Sequence, residues 1–253
     1  GVSVLDFLPA CAISGAIAAA VVLALALPAL RGPNPWLVPV AALAAFCDEF
    51  FLDLPNFRGD PLNFIGGHWN WTGKLFELGA ALVFALVLIG ARRFSRQEFG
   101  LTLAQRPGTA QAVLSVVVPY LIVMMGIVWM TSAHDVPDRE SWAFQLTMPG
   151  FAEELYFRGV LLALFDRLYA GRRIILGAPM GFGAVATTIA FAFAHSFSVH
   201  KSLAIDFSVM PMILPFIGSF VAVWIRARSG SLVVPVLAHN ASNVLAMVAV
   251  LLA

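Results

Sequence analysis

Phe151-Ala-Glu-Glu-Leu-Tyr-Phe-Arg158-Gly159 puts two adjacent carboxylates and a guanidinium into an apolar run that continues as Val160-Leu-Leu-Ala-Leu-Phe165. Charged side chains are costly in such surroundings and mark a functional site when they occur inside a membrane-spanning segment. On a helix, residues four apart share a face, so Glu154 and Arg158 can pair. Glu153 is turned about 100° away and is free to face something else. One carboxylate can thus serve as a neutralised anchor and the other as a tunable base. The plainer alternative is a buried ion pair that fixes helix packing, although a packing device has no need of the second glutamate.

The rest of the chain says what surrounds this stretch. Of its 253 residues 60% are hydrophobic and 11% charged, and the mean hydropathy is +0.90. Soluble domains are about half apolar and about a quarter charged, so the composition indicates an integral membrane protein. A net charge of +1 gives no footprint for nucleic acid. Cys11 and Cys47 lie in apolar runs, and no Cys-x-x-Cys or zinc-knuckle spacing occurs.

A spanning helix needs roughly 20 mostly apolar residues. About eight segments qualify: 5–30, 36–54, 75–90, 110–131, 142–169, 177–197, 205–225 and 232–252. The first is too long for a signal-peptide core and lacks a basic flank, so it reads as a true span. No ten-residue alternation of a β-barrel occurs, which leaves an all-α, polytopic membrane helix bundle of about eight transmembrane helices. It forms a single membrane domain, 1–253. The loop His68-Trp-Asn-Trp-Thr-Gly-Lys74 suits the headgroup level, and Asp48, Glu49 and Glu77 are expected near solvated span ends.

Counted loop by loop, one side collects Arg31, Arg92, Arg93, Arg96, Arg106, Arg167, Arg172, Arg173, Arg226 and Arg228. The other collects Arg58, Lys74, Arg139 and Lys201. The positive-inside rule assigns the richer side to the cytoplasm and both termini to the opposite face.

Two further polar groups interrupt the spans. His195 ends Thr187-Thr-Ile-Ala-Phe-Ala-Phe-Ala-His195, with Phe191 one turn back on its face. His239 and Asn243 share a face of the last span, while Asn240 lies on another and suits packing or capping. His195 also fits a solvated helix end, and His239 with Asn243 also fits helix-to-helix hydrogen bonding. His68, His134 and His200 are loop residues with a surface reading. Taken together, the three segments supply a base, a partner for it and two donors. A glutamate with a histidine can activate water for attack on an amide, and a His and an Asn can stabilise the resulting oxyanion. No Gly-x-Ser-x-Gly nucleophile motif is present.

Glu153-Glu154-x-x-x-Arg158, Phe191-x-x-x-His195 and His239-x-x-x-Asn243, in that order, resemble the three motifs of the CAAX protease and bacteriocin-processing (CPBP, or ABI) family, which includes the type II CAAX prenyl endopeptidases. The resemblance covers about residues 144–250. It implies a protease core at 142–253 preceded by N-terminal transmembrane helices at 1–141. It further implies that Glu153 acts with His195 as the base that activates water. Glu154 and Arg158 would orient that base, His239 and Asn243 would form the oxyanion site, and Phe191 would line the substrate site. No cofactor is preferred and no metal ligand is assigned, the alternative being a divalent metal such as zinc on His195, His239 and a glutamate. The partners implied are membrane lipid and a membrane-associated or lipidated protein or peptide substrate. The composition suits a multi-pass protein of a bacterial inner membrane. The competing readings are a proton- or ion-coupled transporter, and a non-catalytic membrane scaffold of the same fold.

Overall fold

The computed structural model describes residues 3–57, 61–131 and 136–252; Arg58 and His134, both read above as loop residues, lie outside them. The fold is all-α with two small hairpins. Its elements are α1 (Leu8–Ala26, continued by a 3-10 turn Leu27–Arg31), α2 (Leu37–Asp53), α3 (Trp71–Gly90), α4 (Thr109–Thr131), α5 (Arg139–Gln145) and α6 (Met148–Glu153). A π-helical segment (Glu154–Leu161) leads from α6 into α7 (Leu162–Leu168). There follow β1 (Arg172–Ile175), β2 (Ala178–Gly181), α8 (Phe182–Ala194), β3 (Phe197–Val199), β4 (Ile205–Phe207), α9 (Ile213–Ser229) and α10 (Val233–Leu252).

Among the described residues, five helical stretches are long and apolar enough to cross a membrane: Leu8–Arg31, Trp71–Gly90, Thr109–Thr131, Met210–Ser229 and Val233–Leu252. The other three of the eight expected spans are shorter or broken. α2 has 17 residues and carries Asp48, Glu49 and Asp53. The expected fifth span is interrupted before Met148, because Pro149 occupies the first turn of a new helix and a proline there lacks the N–H that would continue the preceding one. The expected sixth span, 177–197, shrinks to the 13 residues of α8. Its two ends are taken by antiparallel hairpins, β1–β2 and β3–β4. Leu176 (φ 48°) and Gly177 (φ 78°) form a two-residue turn with both residues left-handed, the geometry that matches strand twist in a tight hairpin.

Close helix approach rests on small residues, as is usual where lipid removes the hydrophobic drive between spans. At Gly15 a Cβ would come within 2.7 Å of the Phe46 carbonyl oxygen, which lets α1 lie against α2. At Gly150 a Cβ would strike the Asn240 side chain and come within 2.8 Å of the Val236 oxygen, which lets α6 lie against α10. Asn240 closes this contact by accepting from the Gly150 N–H (2.8 Å) and donating to the Thr147 carbonyl (3.2 Å), the capping role expected for it.

The loops gather at two ends. At one, Arg167 pairs with Glu98 (2.6 Å), Arg172 with Asp166 (3.1 Å), and Arg228 donates to the Pro107 carbonyl (3.0 Å). At the other, the tryptophan loop is docked on α5 as well as suited to an interface. Glu140 Oε1 accepts from Trp71 Nε1 (3.0 Å) and from the backbone N–H groups of His68 (3.1 Å) and Trp69 (3.2 Å), and the Trp69 ring stacks on Phe144 at 4.8 Å. Asp138 caps α5 through the Ser141 N–H (2.8 Å), which holds its carboxyl below the usual range.

Gly150→Ala is expected to lower stability by about 1–3 kcal/mol through overpacking at backbone. Gly126→Ala, where nothing lies within 4 Å of the added carbon, is expected to be neutral or slightly stabilising. Unfolding of the two variants in detergent measures both; equal effects would contradict the close approach at Gly150.

Candidate active site

The boundary between α6 and the π segment falls between the two glutamates. A π-helix bonds i to i+5, is rare beyond a single turn, and is frequent at functional sites. Here it runs for eight residues, all buried. Glu154 and Arg158 pair within it at 3.1 Å, with side chains 0% and 1% exposed, so the pairing expected from their spacing is present.

The two carboxylates converge on one imidazole. His239 Nδ1 donates to Glu154 Oε1 at 2.7 Å, and His239 Nε2 lies 3.7 Å from Glu153 Oε2. Glu153 Oε1 accepts from Lys74 Nζ at 2.8 Å, and Lys74 also donates to Glu77 Oε2 at 2.7 Å. The chain of groups is thus Glu77, Lys74, Glu153, His239, Glu154 and Arg158, with charges alternating along most of its length. Glu153 Oε2 and Glu154 Oε2 are buried and have no hydrogen-bond partner among the described residues.

Aromatic packing holds the remaining members. The Phe191 ring lies 4.7 Å from the His195 ring and 6.2 Å from the His239 ring, with the Arg158 guanidinium 4.2 Å above it. His195 caps the end of α8, and its Nδ1 donates to the Phe191 carbonyl at 2.9 Å, which leaves Nε2 unengaged by this contact. Asn243 Nδ2 donates to Gln145 Oε1 at 2.8 Å, fixing the amide and leaving its second N–H. Glu154, Arg158, Phe191, His195, His239 and Asn243 line one cavity of about 220 Å³ between α4, α9 and α10. Glu153 does not line it and reaches the group through His239. A second cavity, of about 600 Å³, shares Val128, Asn243 and Ala246 with the first and extends to His68, Asp138 and Gln145.

Several members were not expected. Lys74 was assigned to a loop at the interface but stands inside the group, and Glu77 was assigned to a solvated span end but is 1% exposed. Asp48 and Glu49 were given the same solvated reading and are also buried. The sequence signal was the charge itself: Lys74 and Glu77 are three apart at the head of an apolar helix, spacing that puts them on one face. Gln145 carried no comparable signal.

Among the described residues, His68, Asp138 and Glu140 bring three metal-type donor atoms within 4.8 Å of one another. His195, His239 and the glutamates do not form such a group. Glu140 is already engaged by two backbone N–H groups, an indole and His68 Nδ1 at 2.8 Å.

Residues 140–245 match the family model of Rce1-like type II CAAX prenyl endopeptidases. That stretch contains Glu153, Glu154, Arg158, Phe191, His195, His239 and Asn243; Lys74 and Glu77 lie outside it. No curated protein and no solved structure matches the chain. The match takes in less than half of the chain and is a likeness to that endopeptidase family; the apolar helices that accompany it are those of a multi-pass integral membrane protein.

Removing one partner of a buried ion pair strands the other charge. Lys74→Met is therefore expected to destabilise the protein by about 3 kcal/mol. Adding Glu153→Gln to that variant is expected to restore part of the loss, a coupling of more than about 1 kcal/mol. Denaturant unfolding of the single and double variants in detergent reads the coupling, and strict additivity would contradict the pairing.

Proposed function

We propose, on the premise that residues 140–245 are of the type II CAAX prenyl endopeptidase kind, that this chain hydrolyses a peptide bond of a membrane-associated or lipidated protein, with a glutamate-activated water and no covalent intermediate. The observation that carries the reading is the convergence of Glu153, Glu154 and His239, the last two lining a cavity together with His195 and Asn243. Residues 142–253 form the catalytic core, and the helices of 1–141 contribute Lys74 to it. The membrane is the bacterial inner membrane.

The roles follow from the bonds each group already makes. Lys74 occupies Glu153 Oε1, so the second oxygen is the one available to take a proton from water. The water oxygen bonds to the amide carbon, and its proton passes to Glu153 and then to the leaving nitrogen as the C–N bond breaks. His195, oriented by the Phe191 carbonyl, acts with Glu153 on that water. Glu154, paired with Arg158, holds His239 by its Nδ1. His239 with the second N–H of Asn243 faces the developing oxyanion, where a preorganised donor is worth about 10²–10³ in rate. Phe191 packs the wall between them. The larger adjoining cavity gives an extended peptide a path from the tryptophan-loop end to Asn243.

The reading is metal-free, supported by the scatter of the donor atoms noted above. Zinc on His195, His239 and Glu153 would supply a polarised water in place of a glutamate-activated one.

In vesicles carrying the full chain and a membrane-anchored peptide, His195→Ala is expected to abolish cleavage, and Asn243→Ala to slow it by about 10²–10³. Cleavage is expected to persist after treatment with a strong chelator. Normal turnover in the His195 variant would overturn the protease assignment. Loss on chelation, with recovery on added zinc, would overturn the metal-free form of it.

A further inference from the structure

A second polar cavity, of about 240 Å³, lies at the arginine-rich end, away from the glutamate cluster. Arg106, Arg167, Arg172 and Arg226 line it together with Glu98 and Asp166. The two acids are already committed, Glu98 to Arg167 at 2.6 Å and Asp166 to Arg172 at 3.1 Å. Arg106 and Arg226 have no carboxylate within 4.0 Å among the described residues; the Arg106 guanidinium donates to the Ala227 carbonyl, and that of Arg226 to the Gln97 and Glu98 carbonyls. Arg226 is 7% exposed, and its Nε has no partner. The four arginines exceed the two acids by a net charge of about +2; Arg106 is exposed, but Arg226 is buried, and a buried charge is ordinarily paired.

The cavity is continuous with an apolar groove on the outer surface. A groove of about 520 Å³ shares Arg172, Met180 and Gly181 with it and runs along Ile175, Phe182, Val185 and Phe220. These four side chains are all exposed. Exposed apolar residues are ordinary on a lipid-facing surface. What is not ordinary is that this strip opens directly into an arginine pocket. The β1–β2 hairpin joins the two, with Arg172 reaching the cavity and Ile175 the groove.

We infer that this end of the protein binds one anionic phospholipid, its phosphodiester in the cavity beside Arg106 and Arg226 and an acyl chain along the groove. Charge complementarity selects the headgroup: guanidinium forks match phosphate oxygens bidentately, and basic pockets between spans on the cytoplasmic side take anionic lipid headgroups. The positive-inside count assigns this end to that side. A soluble phosphate shares the headgroup chemistry but makes no use of the groove.

Native mass spectrometry of the full chain in detergent tests the inference. The probes are phosphatidylglycerol, phosphatidylcholine of the same acyl chains, and inorganic phosphate. Phosphatidylglycerol is expected to be retained at least fivefold over phosphatidylcholine. Arg106→Gln and Arg172→Gln are each expected to erase most of that preference, while Arg92→Gln/Arg96→Gln, at the same end but outside the cavity, keeps it. Equal retention of the two lipids by the unaltered protein overturns the site without reliance on any variant. Preference unchanged in both cavity variants overturns its location. Displacement of the lipid by millimolar inorganic phosphate overturns the lipid assignment in favour of a soluble anion.

Discussion

The structure is governed by the cost of holding ions in a low-dielectric interior. Glu77, Lys74, Glu153, His239, Glu154 and Arg158 come from three different stretches of chain, and each meets the next within 3.7 Å. Removing Lys74 or Glu154 strands a buried charge, whereas Lys74 keeps Glu77 when Glu153 is neutralised; α3, the α6–π junction and α10 are thus fixed to one another by electrostatics as much as by packing. The same linkage gives the two glutamates different surroundings. Glu154 is held by a guanidinium and an imidazole. Glu153 is held by one ammonium, with His239 Nε2 3.7 Å from its other oxygen.

Irregular backbone supplies the geometry this requires. The interruption before Met148 lets α5 turn away, so that Gln145 reaches Asn243 while Gly150 lies directly on α10. The π segment then carries Glu154 and Arg158 past Phe191 and His239. Non-helical backbone at such depth is tolerated where protein satisfies it, and here Asn240 does so by bonding Gly150 and Thr147. The two hairpins flanking α8 shorten that helix, so that it ends on His195 with the ring turned toward Phe191.

Much of the site could be read from the sequence, because charges and histidines stand out against an apolar background and their i, i+4 spacing predicts shared faces. Glu154 pairs with Arg158, Phe191 packs on His195, and His239 and Asn243 line one cavity, as that spacing implies. Lys74 was not legible. It lies 79 residues from Glu153 and next to a tryptophan-rich loop, where an interfacial reading is the natural one. The burial of Asp48, Glu49 and Glu77 was missed for the same reason: hydropathy gives the ends of a span but not which neighbour covers them. The broken fifth span and the short sixth were missed because apolar runs look alike whether they form one helix, two helices or a helix flanked by hairpins. Only Pro149 and the Leu176-Gly177 turn marked the difference locally.

The division of labour between the adjacent glutamates is the centre of the account. It is tested most directly by single-turnover cleavage of a vesicle-anchored peptide by Glu153→Gln and Glu154→Gln, each with its unfolding midpoint measured in the same membrane mimetic. The account predicts that Glu153→Gln folds normally and loses turnover, whereas Glu154→Gln, which strands Arg158 and releases His239, loses stability along with activity. A Glu153→Gln protein that still cleaves at the wild-type rate, or a Glu154→Gln protein that folds normally and alone is inactive, would contradict it.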